Sequence, residues 1–286
     1  MNPTTASQQR HNEQTRDAWE RFSPHRQHVT KLLAGCVADP DSHQRLCVLG
    51  AGNCNDLDLT ALLHVFAEIT LVDLDRDAVV QGVERQRALA TKPWPDGAIQ
   101  IEAPCDITGI ADSLAEIQPP LSMGIVDQLA TQLTGGTHAL AGRGTFDVVV
   151  STGLLTQLFH AVAERFPTLT QENLRLLIAI RQSHLATLLR LTSPSGTSLF
   201  ITDIVSSLTA PDLPTLAAEQ LPARLNKLLT EHNFFTGANP RAIMADLLAQ
   251  PELKARPHQI TEHAPWLWQV LPQRCYLVWA VGVKFA

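Results

Sequence analysis

Residues 46–59, LCVLGAGNCNDLDL, and residues 68–77, EITLVDLDRD, decide how this chain is read. The apolar run Leu46 to Leu49 breaks at Gly50-Ala51-Gly52 and gives way to a helical pattern with Leu57, Leu59, Leu62, Leu63 and Phe66 on one side. A buried strand, a tight glycine turn and a helix account for that order. Glycines at 50 and 52 let the backbone turn sharply and let a ligand approach main-chain N–H groups that no side chain screens. A second apolar run, Ile69 to Val72, ends in Asp73. That acid follows the glycines at a spacing of about twenty residues, where nucleoside-binding α/β folds place a carboxylate on a ribose. Two strand ends thus converge on one nucleoside-sized ligand.

The rest of the chain alternates in the same way. Asp77 to Leu89 reads as a helix, TKPWPDG as a connector and Ala98 to Ala103 as a third strand followed by Pro104-Cys105-Asp106-Ile107. Helices and a glycine-rich link, Gly135-Gly136 and Gly142-Arg143-Gly144, lead to TFDVVVSTGLL at 145–155, whose β-branched run fits a central parallel strand covered on both faces. Thr170 to Leu191 is an amphipathic helix with Leu174, Leu177, Ile178, Leu185, Leu188 and Leu189 expected inward and Thr170 as its N-cap. Ser193-Pro194-Ser195-Gly196 stops it, and Thr197 to Asp203 is a fifth strand. Trp266 to Leu271 and Cys275 to Phe285 close the chain as a hairpin, which implies antiparallel pairing.

The glycine turn and the acid at 73 resemble motifs I and II of the class I S-adenosylmethionine-dependent methyltransferases. The resemblance extends to the FDVVVS strand and to the helix, Pro/Gly turn and strand ending at Asp203, covering residues 45–205 and 265–286. It implies an α/β fold: a doubly wound, mostly parallel seven-stranded sheet with a terminal antiparallel strand. Within a single domain of residues 1–286 it implies a helical cap (1–40), a cofactor-binding core (41–205), a helical insertion (206–263) and a closing hairpin (264–286). Its cofactor is S-adenosyl-L-methionine, its acceptor a small molecule or a protein side chain.

Carried over by position, Gly50, Ala51, Gly52 and Asn53 form the cofactor turn and Asp73 with Leu74 the ribose end. Asp106 and Ile107 take the adenine, although Asp106 also suits a helix N-cap, and Ser151 and Thr152 line the gap between cofactor and acceptor. The family often has an acid two residues before the first glycine, where this chain has Val48, and its third glycine is Cys54 here. The turn is therefore expected to do without a positive φ at 54.

The segment WERFSPHRQHV, between two N-terminal helices, suggests a lid in which Trp19, Phe22, His25 or Arg26 reaches the acceptor; helices merely covering the sheet are the alternative. Leu155, Phe234 and Phe235 are further acceptor-pocket candidates. His160, Asp203 and His232 are the candidate bases, needed only if the attacking atom carries a proton of high pKa. Asp203 ends its strand as an acceptor contact or as an ordinary loop acid. His25-x-x-His28 could share a helix face, but no third ligand follows at a metal-type spacing, so no metal is expected.

Composition bounds these readings. The 286 residues are 45% hydrophobic and 17% charged, enough for a sizeable core. A net charge of −6 with no basic run argues against a nucleic-acid surface. Five unpaired-looking cysteines, a polar start without an apolar leader and no bilayer-length apolar run suggest a cytoplasmic protein with no membrane partner. Two other classes compete with the enzyme: a non-catalytic cofactor-binding or regulatory protein of the same fold, and a nicotinamide-dependent oxidoreductase. The latter's G-x-G-x-x-G is broken by Asn55, and its fold continues with a second parallel half. Neither the acceptor's identity nor the oligomeric state is carried by any motif.

Overall fold

A computed structural model describes residues 3–37, 43–133, 140 and 142–286; the expected Gly135-Gly136 link lies outside the described residues. The strands are β1 (Arg45–Leu49), β2 (Glu68–Val72), β3 (Ile99–Glu102), β4 (Phe146–Thr152), β5 (Thr192–Ser206), β6 (His258–Leu271) and β7 (Arg274–Phe285). They form one sheet in the order β3-β2-β1-β4-β5-β7-β6. β3, β2, β1, β4 and β5 run parallel, while β7 is antiparallel to β5 and to β6. The order reverses between β1 and β4, and in a doubly wound sheet the crevice for a ligand opens beyond the carboxyl ends of the strands at that point.

The two faces of the sheet carry separate cores because alternate residues of a strand point to opposite sides. Cys47, Leu49 and Val149 pack with the face covered by α5 (Ala111–Glu116), α6 (Met123–Leu133), α7 (Leu154–Arg165) and α8 (Gln171–Leu191). Leu46, Val48, Val148 and Val150 pack on the other face with α2 (Ser23–Ala34), α3 (Leu59–Leu62) and α4 (Arg76–Leu89). Burial on both sides is why Leu46–Leu49 of β1 and Val148–Val150 of β4 read as continuous apolar runs. Between β5 and β6 the chain forms α9 (Leu221–Thr230), α10 (Pro240–Ala249) and α11 (Pro251–Lys254), and α1 (Pro3–Thr15) lies over the crevice.

Several expectations are corrected. The helix after the glycine turn is only Leu59–Leu62, started by Asp58, whose side chain accepts the Ala61 N–H. Cys54 adopts φ 53°, in the left-handed region alongside Gly50 (84°) and Gly52 (48°), so the turn takes a positive φ at 54 without a glycine there. On α8, Leu174 and Ile178 face outward, 40% and 42% exposed, while Leu176 and Ile180 point in with Leu177, Leu185, Leu188 and Leu189. Thr170 does cap that helix by accepting the Asn173 N–H. The 193–196 stop is a bulge inside β5, since Phe146 pairs with Thr192 and Val148 with Thr197. The closing hairpin begins at His258 rather than 264.

Gly82 shows how tightly the turn is backed. A Cβ there would stand 2.3 Å from the Asn53 carbonyl oxygen, a backbone atom. Gly82→Ala, normally favourable in a helix, must push the turn away from α4. The substitution is expected to lower stability by about 2 kcal/mol, as overpacking a rigid site does, in a urea titration; unchanged or raised stability contradicts the close approach.

Candidate functional site

The turn after β1 is stitched to the end of β2. The Gly50 and Ala51 amides both donate to the Val72 carbonyl, at 2.9 and 3.1 Å, and the Gly52 amide donates to Asp73 Oδ2 at 2.8 Å. The other carboxylate oxygen, Oδ1, accepts the Asp75 amide at 2.8 Å. Amides expected to face a ligand are therefore spent within the protein. What the arrangement presents instead is a buried carboxylate fixed against the turn. The Leu74 amide also acts on this carboxylate, and because an ionised carboxylate offers about four acceptor sites, acceptor capacity remains beyond these three amides. Burial pushes the Asp73 pKa up to about 6, against the pull of the Asp75 and Gly52 amides.

Two connected spaces open around this point. A narrow slot is floored by Asp73 and walled by Leu74, Ile107, Ile110, Leu114 and Leu158, with Asp106 on its edge. Asp106 Oδ1 accepts the Thr108 amide and hydroxyl and Oδ2 the Ala111 amide, so it organises the start of α5 while bordering the slot. A wide cleft of about 610 Å3 lies on the other side of Gly50, and slot and cleft share Gly50, His11 and Gln157. Gly50, Ala51, Gly52, Asn53 and Thr152 border the cleft, and so do Phe22, His160, Asp203 and Phe235.

The remaining candidates stand elsewhere, and neighbouring residues explain most of them. Ser151 is fully buried and its hydroxyl is 2.7 Å from His184 Nε2, whereas Thr152, one residue on, faces the cleft. Burial drives the pKa of His184 down to about 4, so this pair is neutral core. Leu155 packs in the core while Leu154 walls the slot, a 100° step around α7. Phe234 packs against the core and Phe235 turns into the cleft. His232 is exposed at φ 54° in the turn after α9.

Of the expected lid residues only Phe22 borders the cleft. Arg26 donates to the carbonyls of Trp19 and Asn55, at 2.7 and 3.0 Å, and lies 3.5 Å over the Trp19 ring. His25 is buried, accepts the Trp266 indole N–H at 3.0 Å and stacks on Trp268 at 4.4 Å. His28 stacks on Trp266 at 4.2 Å.

The expected lid position over the crevice is occupied by α1, whose Gln8, His11 and Asn12 carry no apolar signal. Its last carbonyls, which an α-helix leaves unpaired, are taken by the turn and its neighbours. Asn53 donates to Asn12 O and Asn55 to Thr15 O, both at 2.6 Å, and Arg85 to Arg16 O at 2.6 Å. Asn12 in turn donates to Asp75 at 2.9 Å, and Gln8 to Gln157 of α7 at 2.6 Å. The paired asparagines in G-A-G-N-C-N-D were the available clue.

Asp56 of the same loop, half-buried on the cleft, was also missed. Burial raises its pKa to about 6, with the Thr152 hydroxyl beside it pulling the other way. Asp203, 5% exposed, accepts the Thr156 hydroxyl at 2.6 Å, and burial likewise raises it to about 6.

No protein-family model matches this sequence, and no curated protein does. Solved structures with a similar arrangement include the magnesium protoporphyrin IX methyltransferase of Synechocystis with bound SAH (11% identity, 93% of this chain and 86% of that one, TM-score 0.42). An O-methyltransferase family protein of Burkholderia thailandensis matches at 11% identity over 94% of this chain and 58% of that one, TM-score 0.44. An rRNA methylase of Streptococcus thermophilus matches at 9% identity over 90% and 94%, TM-score 0.41. The likeness is one of fold. Among the described residues, no helix is long and apolar enough to cross a membrane.

A carboxyl whose folded pKa is raised adds stability below its unfolded value near 4, and that stability is lost as pH rises through about 6. Asp203→Asn is therefore expected to be near neutral at pH 4.5 and stabilising at pH 7.5, by up to about 3 kcal/mol. Denaturant titrations at the two pH values test this. A variant equally stable relative to wild type at both contradicts the buried acid.

Proposed function

We propose that the protein binds S-adenosyl-L-methionine and transfers its methyl group to a small-molecule acceptor. One observation carries the reading: the Asp73-floored slot and the wide cleft meet at Gly50, so a ligand gripped by both strand ends would present its middle to the cleft. The donor set fits. The remaining acceptor capacity of Asp73 suits a ribose hydroxyl, and the apolar walls of Leu74, Ile107 and Leu158 suit a flat heterocycle. Asp106 Oδ2, with a single donor on it, has room for an exocyclic amine. Asp56, half-buried on the cleft just past the turn, offers a carboxylate to the cofactor's ammonium group.

The cofactor supplies a methyl already activated on a sulfonium. The chain's task is then positioning and exclusion of water. Thr152 and Gly153 border the place where the acceptor atom would stand, and α1, pinned to the turn and to α7, shields it. A nicotinamide-dependent oxidoreductase would extend the sheet with parallel strands, whereas β7 is antiparallel to both neighbours.

Isothermal calorimetry of the purified chain with S-adenosylmethionine, S-adenosylhomocysteine and NAD tests the proposal. Binding of the first two is expected. Asp73→Ala should weaken it about thirtyfold or more, the loss of a charged hydrogen-bonding group of about 2 kcal/mol, and Gly52→Val should weaken it by straining a turn residue at φ 48°, with melting curves run alongside to separate lost binding from lost folding. Binding of NAD alone overturns the reading. Cofactor binding with no methylation of any compound in a broad metabolite extract favours a non-catalytic role.

A further inference from the structure

Four aromatic rings line one wall of the wide cleft, and they come from four different places: Phe22 before α2, Trp268 of β6, Tyr276 of β7 and Phe235 after α9. Each touches the next nearly at right angles. Phe22 and Trp268 are 5.1 Å apart at 83°, Trp268 and Tyr276 5.9 Å at 77°, and Tyr276 and Phe235 5.7 Å at 87°. Edge-to-face packing joins the four rings, with Phe22 almost fully buried, into one aromatic box wall of the cleft, and a ring face bordering the cleft carries the negative lobe of the π quadrupole, which attracts a cation. Asp203 borders the same cleft from within β5, where it pairs with Val278 of β7, and its charge is felt at the Tyr276 hydroxyl.

We propose that this box, together with the Asp203 carboxylate, binds an alkylammonium group, so that the acceptor is an amine carrying an extended apolar body. The proposal rests on the cofactor reading above and deepens it by naming the acceptor class. The box stands where the acceptor would: a Cβ on Gly153, the residue that follows β4, would lie 3.8 Å from the Trp268 ring. It is also rigid. Trp268 is stacked at 4.4 Å and 16° on His25, whose Nδ1 is fixed by the Trp266 indole N–H at 3.0 Å. Burial drives the His25 pKa down to about 3, so the group behind the wall is neutral at ordinary pH and does not repel a cation in front of it.

Among the described residues no cation pairs with Asp203, whose titration is shaped by burial and by the Thr156 hydroxyl. The other ionisable groups on the cleft are Asp56, assigned above to the cofactor, His11 and His160 toward α1, and Arg274, engaged with the Tyr276 hydroxyl. The remaining lining, including Phe159, Phe166 and Leu177, is apolar and provides for the body of the ligand. With the ammonium in the box, Asp203 is the group that can take a proton from its nitrogen: an N–H bond breaks, an O–H bond forms on the carboxylate, and the nitrogen keeps the electron pair.

The test uses the full chain, with and without saturating S-adenosylhomocysteine, and three probes of one shape by calorimetry at pH 7.5: 3-phenylpropylamine, 3-phenylpropanol and 3-phenylpropionate. The amine is expected to bind about tenfold more tightly than either of the others, and Asp203→Asn and Trp268→Leu each to remove about tenfold of amine affinity. Asp203→Asn, nearly isosteric, should leave binding of the alcohol and of S-adenosylhomocysteine unchanged. No preference for the amine, or tighter binding of the propionate, overturns the proposal, the latter by making Arg274 the recognition group. Amine preference in a chain that fails to bind S-adenosylhomocysteine overturns the cofactor reading and leaves the box standing. Cofactor binding without amine preference does the reverse.

Discussion

The Asp73 carboxylate is the point on which the architecture turns. One oxygen accepts the Gly52 amide and the other the Asp75 amide, both at 2.8 Å, so a single side chain ties the turn after β1 to the loop after β2. Placing that carboxylate in a buried site costs free energy, as its raised pKa records. The charged hydrogen bonds offset part of the cost. A diol arriving from solvent would offset more of it, which gives the site a physical reason to favour a hydroxylated ligand.

The same turn also holds the lid. Its asparagines at 53 and 55 satisfy carbonyls at the end of α1 that a helix leaves open, and Arg85 takes a third. Gly82 lets α4 approach the turn from behind. Floor, turn and cover are therefore coupled mechanically: a change in the turn is felt by α1 directly through hydrogen bonds.

How much of this was legible in the sequence follows from which signals are one-dimensional. Strands β1, β2 and β4 announce themselves because both faces are buried and their centres are dominated by apolar, mostly branched residues, and the glycine turn with the acid at 73 follows from spacing. Which of two adjacent residues reaches the cleft does not follow, because it depends on register against the layers. Thus Thr152, Leu154 and Phe235 border the site while Ser151, Leu155 and Phe234 are spent in the core. The aromatic wall was equally hidden: Trp268 and Tyr276, the chain's one tyrosine, sit in closing strands that read as plain β-structure. Lid residues Gln8, His11 and Asn12 lie on a helix with no apolar stripe, so only the tertiary contact identifies them.

The most direct test of the central claim is a crystal structure of the chain with S-adenosylhomocysteine. The account predicts the ribose hydroxyls within about 3 Å of Asp73, the ordinary length of such hydrogen bonds, with the ring between Leu74 and Ile107 and the sulfur turned past Gly50 toward the cleft. A ligand bound elsewhere, or a slot that stays closed by the protein's own side chains at saturating ligand, would contradict it.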